Sequence, residues 1–154
     1  MNCTMKKTIL LFALLLLNTF LFSQIKNPVK WAYTAKKITA KTYELHVTAS
    51  IDEGWHIYTT QHKGTIGVAT SITIHNNPLD TKQGKMGTKA NVVTLNDATT
   101  GAIEKFYTGT VDFVQVVELR ASVKTNFTGV VTFMSCNNEQ CLPPMTKSFS
   151  ISIN

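Results

Sequence analysis

Cysteine is scarce in this chain of 154 residues: there are three, and only Cys136 and Cys141 lie beyond the first two dozen positions. That excludes a small secreted framework held together by many disulfides. Proline occurs four times and glycine eight times, too few for a linker-rich or low-complexity chain. No internal repeat is present, which excludes a solenoid or propeller. Past the N-terminus no segment shows a helical period, so a helix bundle is excluded as well. Acidic residues are the minority, nine against fifteen lysines and arginines. The net charge of +6 includes Lys6 and Lys7, and the rest is scattered, densest in "AKK" and "TKQGKMGTK". A nucleic-acid binder concentrates such charge on one stripe or face. A solvated basic surface with no nucleic-acid partner is the expectation.

There is one long apolar run, "TILLFALLLLNTFLF", directly after Lys6 and Lys7. At about 14 apolar residues it falls short of the roughly 20 that span a bilayer. A positive start, a short apolar stretch and a small residue at Ser23 read as an export signal over residues 1–23, cleaved before Gln24. Cys3 precedes the apolar run and leaves with it. Residues 24–154 then form one domain, long enough to build a core without disulfide support. Export also places the two remaining thiols in an oxidising compartment.

The domain alternates with period two, the mark of half-buried strands. In "KTYELHVTASI" the side chains of Tyr43, Leu45, Val47, Ala49 and Ile51 share one face, and Thr42, Glu44, His46, Thr48 and Ser50 the other. "DEG" breaks that strand and "WHIYTT" resumes it; "ATSITIH" closes on the turn "NNP", and "NVVTL" is a short strand. From Val111 to Val123 the alternation is imperfect, because Val114 and Val116 are also apolar. A bulge near Gln115, or a strand covered on both faces, accounts for it. "GVVTFMSC" and "KSFSISI" are the last two strands. Seven or eight short antiparallel strands predict an all-β sandwich of immunoglobulin-like type. Both cysteines fall within one hairpin, unlike the antibody pattern.

Three readings of "CNNEQC" are open. As a staple, a loop this short contributes only about 2 kcal/mol in the chain-entropy model. As a redox pair, a local bridge at a hairpin tip is accessible to another thiol. As a metal clip, the two thiols, with Met134, Met145 and nearby histidines, suit Cu(I), although no second ligand pair accompanies them. No helix follows either cysteine, and Pro143 and Pro144 favour extended or turn backbone. The thiols therefore lack the helix N-terminus that activates thioredoxin-like pairs. A carrier whose partner supplies the attacking thiolate is the expected mode.

"CNNEQCLPP", "IDEGWHIYTTQ" and "EKFYTG" together resemble the N-terminal periplasmic domain of the thiol:disulfide interchange protein DsbD, across essentially all of residues 24–154. The resemblance implies an immunoglobulin-like sandwich with a redox-active Cys136–Cys141 disulfide and no metal or organic cofactor. It implies Cys141 as the residue forming mixed disulfides and Cys136 as the one resolving them. Phe106, with Tyr107 beside it, matches the cap over the disulfide, while His56, Tyr58 and Glu104 match residues lining the site. Implied partners are thioredoxin-like reductants and periplasmic disulfide proteins, including disulfide isomerases and cytochrome-maturation thioredoxins. With the chain ending at Asn154, a separate membrane thiol transporter is the expected electron source. Departures from the family pattern are four residues between the cysteines instead of five, Lys105 at an acidic position and His56 at a tyrosine position. His46, His62 and His75 are expected on the surface, and Trp31 and Trp55 in the core. The competing expectation is a protein-binding module with an inert disulfide.

Overall fold

In the strand Thr42–Ile51 the alternation is realised residue by residue: Tyr43, Leu45, Val47, Ala49 and Ile51 are all buried. The computed structural model describes residues 26–64, 67–96 and 101–154; the expected signal, its cleavage site and Cys3 lie outside them. Ten strands follow one another: β1 (Val29–Lys37), β2 (Thr42–Ile51), β3 (His56–Tyr58), β4 (Ser71–Ile74), β5 (Asp80–Gln83), β6 (Gly87–Asn96), β7 (Ile103–Leu119), β8 (Thr125–Phe133), β9 (Ser135–Cys136) and β10 (Met145–Ile153). That exceeds the expected seven or eight. β1 passes unnoticed in the sequence because its exposed face and its end carry lysines, although Val29, Trp31, Tyr33 and Ala35 alternate inward. "NVVTL" is the second half of the longer β6, which starts inside a stretch read as basic surface.

Among the described residues all strand pairings are antiparallel, in a seven-stranded and a three-stranded sheet. The architecture is an immunoglobulin-like β-sandwich. β7 is its spine. One edge of β7 pairs with β2 along Thr110–Glu118 and then with β3 at Phe106 and Tyr107. The other edge takes β6 and β5. No bulge sits near Gln115: the register between β2 and β7 is unbroken, with Leu45 opposite Gln115. Val111, Phe113, Gln115, Val117 and Leu119 face inward, while Val116 is on the open face. The shifts in register occur instead in the partners, at Asp80/Lys82 and Ala90/Val92. Ala121 and Val123, placed on that strand by parity, lie beyond its end and are exposed.

The two sheets meet over Phe113, Phe127 and Phe133, all fully buried. Burying each such side chain stabilises the fold by about 1.5–3 kcal/mol. Trp31 bridges the layers, 6.2 Å from Phe113 and 5.2 Å from Phe133 between ring centroids, as the sequence predicts for a core tryptophan. Tyr33 stacks on Phe149 at 4.8 Å. On β8, Gly129 sits between Ile74 of β4 and Phe149 of β10. A Cβ there would overlap the Phe149 ring and come within 2.5 Å of the Thr73 carbonyl oxygen.

The same register places the cysteines. After β2 the chain breaks at Asp52–Trp55, where Gly54 takes a φ of 78° that glycine tolerates, and Trp55 N–H donates to the Asp52 carbonyl. It then resumes as β3, still along β7. β3 in turn carries β9, with His56 opposite Cys136 and Ile57 opposite Ser135.

Candidate functional site at the cysteine hairpin

Cys136 and Cys141 are bonded, with their Cα atoms 4.0 Å apart across a two-sided hairpin. The hairpin is closed by Asn137 N–H donating to the Gln140 carbonyl and Leu142 N–H donating to the Ser135 carbonyl. Asn137 shapes the tip: its side-chain oxygen accepts from the backbone N–H groups of Glu139 and Gln140 at 3.0 and 2.8 Å. An asparagine turn of this kind is local chemistry that the sequence encodes directly. The two cysteines differ in access. Cys136 is 1% exposed, held between β3 and Cys141, whereas Cys141 lies on the exposed arm.

Directly opposed residues of an antiparallel pair project to the same face. Cys136, His56, Tyr58 and Phe106 therefore share the outer face of β9, β3 and β7. The His56 ring lies 4.3 Å from that of Phe106 and 5.7 Å from that of Tyr58. Burial pulls the His56 imidazole below its ordinary range, and the Glu104 carboxylate pulls it back less strongly. Tyr58 is pushed up, by burial first and by Glu104 second. His62 covers Tyr58 at 4.2 Å, and Gly67, with a φ of 90°, packs where any side chain would overlap the Tyr58 ring.

Tyr107 does not join this group. It projects to the opposite face, is 4% exposed and packs edge-on to Phe113 in the core. Its neighbour Phe106 is half-buried on the face that Cys136 shares, one strand away across β3, so alternation alone separates the two expected cap residues. Ser135, fully buried beside Cys136, points to the core side, where its hydroxyl finds no partner among the described residues.

A cleft of about 560 Å³ opens next to the hairpin. Trp55, His56, Phe106 and Leu95 line it, together with Glu104 and with Asn138 of the cysteine hairpin. Trp55, expected in the core, packs against it and lines the cleft as well. The sequence reading misses Leu95, Asn138 and the turn residues Asp52 and Glu53. Leu95 carries no warning signal, since an apolar residue in an alternating strand reads as core, yet it is 52% exposed. His62, expected as a satisfied surface histidine, packs its ring on Tyr58. His46 and His75 do have local partners: His46 Nδ1 meets Asp112 at 2.8 Å, and His75 Nδ1 lies 3.3 Å from the Thr128 hydroxyl. Among the described residues no group of three or more His, Cys, Asp or Glu is placed to hold a metal ion.

The family model described as the N-terminal part of the thiol:disulfide interchange protein DsbD matches residues 25–153. Among solved structures, the N-terminal periplasmic domain of ScsB from Proteus mirabilis is 20% identical with a TM-score of 0.55, over 86% of this chain and 49% of that one. The chain thus spans about half of that relative. A complex between the DsbD N-terminal and PilB N-terminal domains from Neisseria meningitidis is 14% identical with a TM-score of 0.50, over 83% of this chain and 88% of that one. At such identities the likeness speaks for the fold. No curated protein matches this chain in sequence.

Proposed function

The chain belongs to the family of DsbD N-terminal domains, and from that premise we propose that it is an exported carrier of reducing equivalents working through Cys136 and Cys141. The observation that carries this reading is the unequal access of two bonded cysteines on an edge hairpin, Cys136 buried and Cys141 exposed. A partner thiolate attacks the Cys141 sulfur. The Cys136–Cys141 bond breaks, its electron pair goes to the Cys136 sulfur, and a mixed disulfide joins the partner to Cys141. A second partner thiol then attacks the mixed disulfide, leaving this protein with two thiols and the partner oxidised. Run in the other direction, the Cys141 thiolate attacks a substrate disulfide and Cys136 resolves the product.

The chemistry needs no metal or organic group. Phe106, its ring 4.3 Å from that of His56, shares the face of Cys136 and in this reading is the cap that screens the bridge from stray thiols. Tyr58 and Glu104 line the same face. The relatives' periplasmic setting supports a periplasmic location. A DsbD N-terminal domain held in complex with PilB supports protein partners of thioredoxin-like type; in this reading such proteins donate the electrons and periplasmic disulfide proteins accept them.

Trapping in the parent organism tests the reading. A Cys136→Ser variant cannot resolve, so it accumulates partners bound through Cys141 on non-reducing gels, whereas Cys141→Ser does not. A disulfide that persists in the folded protein under thioredoxin, its reductase and NADPH would leave the competing inert binding module as the better account.

A further inference from the structure

The cleft beside the disulfide has a charge that the rest of the molecule does not. In a chain of net charge +6 with nine acidic residues, three of those nine, Asp52, Glu53 and Glu104, line this one cleft. Ion pairs join Glu44 to Lys36 and His46, and His46 to Asp112, and none of these engages the three cleft carboxylates. His56 brings little compensating charge, because its half-buried ring favours the neutral form. Between the carboxylates the walls are apolar and aromatic: Trp55, Phe106 and Leu95. Trp55 already attracts one cation, with Lys26 Nζ 5.9 Å from its ring centroid.

We propose that this cleft is a subsite for a long cationic side chain, arginine or lysine, flanking the reactive cysteine of the partner. Such a side chain buries an aliphatic stem on apolar surface while its head reaches polar groups. Aromatic faces attract the head further, arginine more than lysine. Asn138 belongs to the short loop that links the cysteines, five positions apart, and lines the cleft. In this proposal a chain whose sulfur is placed on Cys141 lays a neighbouring side chain in the cleft that Asn138 borders. The three carboxylates then select partners by charge, as opposed potentials do at protein interfaces. This subsite rests on the carrier function proposed above and adds what the partner must present.

The test uses short peptides with one cysteine capped as its thionitrobenzoate disulfide, identical except for arginine, norleucine or glutamate beside the cysteine. The Cys141 thiolate of the reduced protein attacks the peptide sulfur and the thionitrobenzoate anion leaves, giving a coloured readout. The arginine peptide is expected to react roughly tenfold faster than the glutamate peptide, about 1.4 kcal/mol of discrimination, with the norleucine peptide between them. In an Asp52→Asn, Glu53→Gln, Glu104→Gln variant that ratio should fall toward one, each rate being scaled to the same variant's rate with oxidised dithiothreitol. Salt should erode it too. Equal rates for the three peptides, or a preference surviving in the triple variant, would overturn the subsite. Should no peptide exchange at all, the carrier reading is what fails. The subsite is then read by NMR titration of the oxidised protein with the serine analogues. Shifts at Trp55, His56 and Glu104 with the arginine peptide alone support it, and their absence sinks it.

Discussion

His56 stands between the cysteine strand and Phe106, and its protonation is tied to both burial and a carboxylate. Its folded pKa lies below the ordinary 6.5, so between those two values the unfolded chain binds more protons than the folded one. Stability conferred by the neutral ring is complete above about pH 6.5 and is lost as pH falls through the folded pKa. Melting curves across that window should show a steeper acid decline for the parent than for His56→Gln. A parallel decline in both would remove the effect from His56. Phe106 makes a kinetic prediction: Phe106→Ala should speed reduction of the bridge by dithiothreitol roughly tenfold, about 1.4 kcal/mol of lost screening. An unchanged rate would return Phe106 to an ordinary packing role. At this scale the cysteines and the histidine–aromatic group are legible, because chemistry is written in residue type. Tyr107 is not, since "KFYT" names two adjacent aromatics and only the pairing with β3 decides which one faces out.

β7 organises the elements, with β2 and β3 along one edge and β6 and β5 along the other. β2 is fully legible because it is half-buried and each residue reports its side. β1 and β5 are not, for lysines and polar residues on an edge leave little apolar contrast. The imperfect alternation of β7 misleads in a different way. Gln115, 9% exposed, occupies an inward position and meets Gln83 at 3.2 Å, which a bulge would otherwise be invoked to explain. On β8, Gly129→Ala should lower stability by about 1–3 kcal/mol through overpacking, since neither the Thr73 carbonyl nor the Phe149 ring can move freely. The denaturant midpoint should drop with the slope unchanged; a neutral result would mean that β4 shifts away at no cost.

For the whole molecule, stability and redox chemistry reside in different places. The fold rests on a contiguous aromatic and aliphatic core, and the disulfide closes a separation of only five residues. Phe113→Ala should therefore cost about 3–5 kcal/mol, while the Cys136→Ser, Cys141→Ser double variant should remain folded and lose no more than about 2 kcal/mol. A double variant that unfolds would make the bridge structural. A core that does not depend on the bridge would let the proposed carrier cycle without unfolding. The amino-acid order by itself determined the all-β class, the hairpin that holds both cysteines and the resemblance that names their chemistry, because period-two burial and a short cysteine spacing are local properties. Only the tertiary structure decided that Cys136 is shut in while Cys141 is open, that Phe106 rather than Tyr107 shares the face of Cys136, and that three carboxylates line one cleft. Those facts arise from strands far apart in the chain, and cross-strand register carries no signature within any one of them.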